Sequence, residues 1–164
     1  MTLDARPALL PVTADALPSV LALNNAHARE LSWLEPERLD HLLSQAMLAA
    51  RVGEADAFLL AFDQDADYDS ANFVWFRARY PRFAYVDRVV VAGHARGRGL
   101  ARHLYERLFE AAREAGHVMV ACEVNSDPPN PQSDAFHSAM GFCEVGSAAI
   151  YGGARTVRYL VKRL

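Results

Sequence analysis

Apolar positions recur along this chain with two periods, and each change of period marks an element. Residues 8–13, ALLPVT, read as a short first strand. Thr13 then stands where a helix cap belongs, with Asp15 in the first turn and Pro18 near the start. Leu17, Val20 and Leu21 form its apolar stripe, which gives way to Asn24 and Asn25. Residues 35–50 predict a second helix opened by Pro36, with Leu39, Leu42, Leu43, Ala46 and Met47 at helical spacing. AFLLAF, residues 57–62, is a buried strand.

The acids of DQDADYD, residues 63–69, lack the turn glycine and distal glutamate of a calcium loop, so this stretch reads as solvated. Residues 70–81 admit two readings. Phe73, Phe76 and Tyr80 lie at helical spacing, with Ser70 to cap and Pro81 to stop, whereas Phe73, Trp75 and Arg77 alternate as in a strand. Residues 83–92 are a strand, with Tyr85, Asp87, Val89 and Val91 on one face and Val86, Arg88 and Val90 on the other.

Residues 98–116 predict a long helix with Leu100, Leu104, Leu108, Ala111 and Ala115 toward the core. Arg102 and Glu106 are spaced as an ion pair, and Gly116 terminates. Residues 118–124 form the next buried strand, and strand–helix–strand at this length predicts a parallel pair. Residues 125–131 read as a rigid loop in which Asn130 caps and Pro131 opens another helix, ended by Gly141. Strands follow at 142–146 and 155–163. With no repeat and no Gly/Ser linker, residues 1–164 read as one domain.

Composition narrows the class. An apolar fraction of 52% with 23% charged residues is globular, and a formal net charge of -3 argues against nucleic acid or an anionic membrane as partner. No apolar run approaches the roughly 18 residues of a membrane span, and the N-terminus does not resemble a signal peptide. A cytoplasmic location is expected. Cys122 and Cys143 are expected as buried thiols, and no metal set is apparent.

The chemistry concentrates at VVVAGHARGRGLARHLYERL, residues 89–108. A helix N-terminus exposes backbone N–H groups and partial positive charge. Gly97 and Gly99 let backbone approach a ligand, and Arg96 and Arg98 add charge, a combination that favours a phosphate or pyrophosphate. The P-loop is excluded because Leu100 and Ala101 stand where Lys and Ser/Thr belong. The dinucleotide fingerprint fails because Arg102 replaces its third glycine.

RGRGLA, Arg96 to Ala101, does fit R/Q-x-x-G-x-G/A, the acetyl-CoA pyrophosphate motif. With the preceding strand, the following helix, Asn125 and AFHSAMGF (residues 135–142), the chain resembles the GNAT superfamily of N-acetyltransferases over nearly its whole length. The resemblance implies a mixed α/β (α+β) fold of about six or seven strands, splayed at the parallel fourth and fifth, with about four helices. It implies acetyl-CoA as donor and no metal. Backbone at Val89, Val90 and Val91 would bind pantetheine, amides at Gly97, Arg98, Gly99, Leu100 and Ala101 would hold the pyrophosphate, and Asn125 and Phe136 would lie near CoA.

Many members carry a tyrosine that protonates the leaving thiolate, and His137 stands at that position. Asp87 and Glu123 are the candidates for the base that deprotonates an amine, and Tyr105 and Tyr151 are alternative acids. Asn24, Asn25, Trp75, Phe76 and Tyr85 could shape the acceptor pocket. The expected activity is transfer of acetyl to a small amine or to a protein N-terminus or lysine, with a homodimer compatible with the chain. A longer acyl donor and a non-catalytic CoA-binding regulator are the alternatives, the latter because the tyrosine is missing.

Overall fold

In the computed structural model, which describes residues 5–29 and 31–164, the apolar runs assemble into a seven-stranded sheet. Its strands are β1 (Leu9–Pro11), β2 (Leu48–Val52), β3 (Ala57–Asp63), β4 (Ala84–Val91), β5 (Met119–Asp127), β6 (Cys143–Ile150) and β7 (Arg155–Arg163). Their spatial order is β1-β2-β3-β4-β5-β7-β6, antiparallel throughout except between β4 and β5. Five α-helices occur among the described residues, where about four were expected: α1 (Leu17–Ala26), α2 (Pro36–Gln45), α3 (Ala71–Arg77), α4 (Leu100–Glu114) and α5 (Pro131–Ala139). None is long and apolar enough to cross a membrane.

Two apolar layers sandwich the sheet. Leu100, Leu104, Leu108, Met140 and Phe142 cover one face from the α4–α5 side. Val20, Leu39, Leu42, Phe73 and Phe76 cover the other from α1, α2 and α3. Helix α4 is the crossover between the parallel strands, the connection that a parallel pair requires.

That parallel pair is short. Only Ala84 with Val120 and Tyr85 with Ala121 stay in register, and beyond them β4 and β5 separate. The separation coincides with a bulge in β4. Leu60 of β3 faces Arg88 while Ala61 faces Val86, so Asp87 is the extra residue. An extra residue reverses the alternation of side chains beyond it. The expected common face of Tyr85, Asp87, Val89 and Val91 is therefore broken. Val89 and Val91 pack with Val86 in the α4–α5 layer, and Tyr85 packs with Val90 in the other.

Other expectations also change. The helix over residues 35–50 stops at Gln45, and Leu48–Val52 is strand β2. Ala46, Met47, Ala49 and Ala50 suit a helix locally, but pairing on both sides with β1 and β3 decides the outcome. The ambiguous segment resolves as helix α3, although the Ser70 side chain makes no capping bond. On α4 the buried positions are Leu100, Leu104, Tyr105, Leu108, Phe109 and Ala112, while Ala115 is exposed. Glu106 bonds Arg6 rather than Arg102. Strand β5 continues to Asp127, into the expected loop, and Cys143 is exposed on the edge strand β6.

Candidate active site

Where β4 and β5 part, the sheet opens a cavity of about 210 Å³. Asp87 and Val89 reach it from β4, and Cys122, Glu123 and Asn125 from β5. Ser133 and His137 of α5 and Tyr105 of α4 close one side, with Tyr68 and Asn72 on another. Arg155, the first residue of β7, also lines it.

Glu123 accepts a hydrogen bond from the Tyr85 hydroxyl at 2.7 Å. Its carboxyl is pushed up to about 8, chiefly by burial, with the charge of Asp87 adding and the hydrogen bonds from Tyr85 and Asn72 opposing. Tyr159 donates in turn to Asn72 at 2.9 Å, which fixes the Asn72 amide. A carboxyl poised near neutrality and facing a cavity is suited to accept a proton.

Asp87 is held differently. Arg88 Nε donates to one of its oxygens at 2.7 Å and the Tyr68 hydroxyl to the other at 2.5 Å. The Arg88 and Asp87 side chains are only 5% and 4% exposed, so this is a buried ion pair inside the bulge. Arg88 Nη1 reaches Asn24 on α1 at 2.8 Å. Burial opposes the Arg88 charge, but Asp87 holds its pKa above the ordinary value.

His137 Nδ1 lies 2.8 Å from the Ser133 carbonyl oxygen. A carbonyl only accepts, so Nδ1 carries the proton of the neutral ring, and Nε2 accepts from the Tyr105 hydroxyl at 2.7 Å. Burial lowers the His137 pKa, which favours that neutral form. The proton on this side of the cavity therefore sits on Tyr105, whose phenol is pushed up by burial and then by Cys122 and Glu123.

The glycine-rich loop lies outside the cavity, at the N-terminus of α4. Gly97 and Gly99 have φ of 79° and 71°, in the left-handed region that favours glycine. A Cβ at either would meet nothing within 4 Å, so backbone is open to approach there. Arg96 and Arg98 are exposed beside it, and the first amides of α4 have no partner within the helix. The residues present thus fit a pyrophosphate cradle.

Asp87, Glu123, His137, Val89 and Asn125, with the alternative acids Tyr105 and Tyr151, are the sequence-predicted residues that line the cavity. Val90 is buried in the α1–α3 layer, Val91 packs on the opposite one, and Phe136 meets the Tyr105 ring edge-on at 5.4 Å. The structure does not bring Asn24, Asn25, Trp75 or Tyr85 to the cavity wall. Asn24 and Asn25 tie α1 to the backbone of Ser32 and Leu34. Trp75 stacks on Tyr159 at 4.1 Å, and Tyr85 lies behind Glu123 as its hydrogen-bond donor. Sequence reasoning missed Tyr68, Asn72 and Arg155. A lone amide within SANFVWF was the available signal for Asn72; the other two carried none.

A model described as the acetyltransferase (GNAT) family matches residues 21–142. Among curated proteins, none matches the sequence. Similar solved structures include a ribosomal-protein-alanine N-acetyltransferase from Brucella melitensis, 20% identical with a TM-score of 0.74, covering 96% of this chain and 99% of that one. Ard1 from Thermoplasma volcanium aligns with a TM-score of 0.76 at 14% identity, covering 96% and 97%. Naa20 from Chaetomium thermophilum, in complex with a bisubstrate analogue, aligns at 0.75 and 20%, covering 96% and 86%. These likenesses confirm the fold, with its parallel β4–β5 pair in a seven-stranded mixed sheet. The family-model match extends from α1 through the glycine-rich loop to the end of α5, and with it the chain belongs to the GNAT acetyltransferase family.

Proposed function

We propose that this single domain transfers the acetyl group of acetyl-CoA to a primary amine by direct attack within a ternary complex. The observation that carries this reading is Glu123, a carboxyl near neutral pKa set in the opening between the parallel strands. An ammonium is not nucleophilic, and Glu123 takes its proton, directly or through water. Asp87 is already bound by Arg88 and Tyr68, which favours Glu123 over Asp87 as base and gives Asp87 the role of holding the bulge.

The glycine-rich loop from Arg96 to Ala101 receives the pyrophosphate, and the β5-facing edge of β4 at Val89 to Val91, beyond the last pair with β5, lines up pantetheine as an added strand would. A backbone N–H beside the bulge polarises the thioester carbonyl. Asn125 contacts the pantetheine arm, and Phe136 supports CoA from α5 through its packing on Tyr105. Tyr105, whose hydroxyl rests as a donor on His137 Nε2, turns from that nitrogen to give its proton to the departing sulfur. The raised phenol pKa does not forbid this, since a thiolate in the same enclosed place is raised by the same desolvation. Much of the acceleration comes from holding two substrates together.

Thiol release from acetyl-CoA across a panel of free amines and N-terminal peptides tests the reading. Turnover that is lost in Glu123→Gln supports it. Tight CoA binding with no release on any amine would instead favour a CoA-binding regulator.

A further inference from the structure

Among the described residues, the charges that face the cavity cancel, with one exception. Asp87 and Arg88 neutralise each other within the bulge. Glu123 holds its proton until about pH 8. Arg155 remains. Its Nη2 donates to the carbonyl oxygen of Arg29 at 2.5 Å, a neutral partner. Among the described residues no carboxylate lies in ion-pair distance of it. A guanidinium has five N–H donors in a fork that matches a carboxylate, and among the described residues only the Arg29 carbonyl engages one of them.

The register of β7 sets where that charge stands relative to the proposed base. Glu123 pairs with Tyr159, and Arg155 lies four residues before Tyr159 on the same strand, hence on the same face. Four residues of strand span about 13 Å. The two side chains line one cavity.

We infer that the acceptor is an amine that also carries a carboxylate several bonds away, and that Arg155 holds this carboxylate while the nitrogen meets Glu123. The inference rests on the acetyl-transfer reading and narrows its substrate. An ω-amino acid and a peptide amine flanked by an acidic side chain share this chemistry. A purely cationic diamine would place a second positive charge against Arg155 and is a poor acceptor.

The test compares isosteric acceptors in the intact protein. 4-Aminobutyrate is set against 4-aminobutanamide and 1,4-diaminobutane, and Ser-Glu peptides against Ser-Gln and Ser-Lys. The expected kcat/KM advantage of carboxylate over amide is about 10- to 100-fold, the range of one charge-assisted pair. The two arms show whether a free amino acid or a peptide supplies the carboxylate. Arg155→Gln brings the carboxylate-to-amide ratio toward one, and Arg155→Lys restores part of it. Equal kcat/KM for the wild-type pairs would overturn the inference, as would a ratio unaltered in Arg155→Gln. Calorimetric binding of the same compounds to the CoA-loaded protein reads the subsite without turnover. Carboxylate-selective binding lost in Arg155→Gln supports it even if no thiol is released, an outcome that would count against acetyl transfer alone. Binding indifferent to the carboxylate overturns it.

Discussion

Glu123 shows how one carboxyl acquires a task from its neighbours. Burial raises it, while the Tyr85 and Asn72 hydrogen bonds restrain the rise. Replacing Glu123 by Gln keeps the shape and removes the proposed base. Steady-state kinetics should show kcat reduced by about 10²–10⁴-fold, the usual worth of a positioned base, with the KM for acetyl-CoA moved far less. Tyr85→Phe removes a donor to the charged form. The acidic limb of the kcat/KM profile should therefore move upward from about 8, and a limb that stays or falls would break the link between Tyr85 and the base. Arg88 offers a contrasting prediction, since its partner is buried with it. Arg88→Ala leaves the Asp87 charge enclosed and should destabilise the fold by about 3–5 kcal/mol in denaturant unfolding. A loss under about 1 kcal/mol would mean that solvent reaches the pair.

At the scale of elements, the glycine-rich turn is where sequence and structure agree most closely. Gly99 caps α4 at φ 71°, and the open space where its Cβ would stand faces the proposed pyrophosphate. Gly99→Val adds backbone strain and covers the amides of the first turn. The KM for acetyl-CoA should rise at least about 10-fold, the equivalent of losing one charge-assisted hydrogen bond. Unchanged saturation would sink the cradle. The turn in RGRGLA was legible because its signal is local: glycines, arginines and a helix start lie within six residues. Strand β2 was not legible, because its alanines and Met47 suit a helix until β1 and β3 pair with it. The β4 bulge was equally hidden. Nothing in AYVDRVVV marks Asp87 as an extra residue; only the register against β3 does. That hidden bulge undid the expected face of Val89 and Val91, although it left Asp87 in the cavity.

At the scale of the whole molecule, the cavity exists because a parallel pair holds only two residue pairs before it opens. Its wall is collected from distant parts of the chain: Tyr68, Asn72, Tyr105, His137 and Arg155 line it together with Glu123 through topology, not through sequence spacing. Enclosing Glu123 and His137 together has a thermodynamic consequence with two signs. Folding raises Glu123 from 4.5 to about 8, so the native state binds this proton more tightly than the unfolded chain does. Its contribution to stability is complete below about pH 4.5 and is lost as pH rises toward 8. Folding lowers His137 below 6.5, so its contribution is present above 6.5 and is lost as pH falls through the depressed value. Between about 6.5 and 8 the Glu123 effect stands clear of the histidine. Unfolding free energies of the wild type and Glu123→Gln, measured by denaturant from pH 5 to 9, isolate it by difference. The variant should gain on the wild type as pH rises, by up to about 1.4 kcal/mol per pH unit, and the gap should level off above about 8. Parallel curves would mean that Glu123 is already ionised at neutral pH, and the proposed base would then have to work as an ordinary exposed carboxylate.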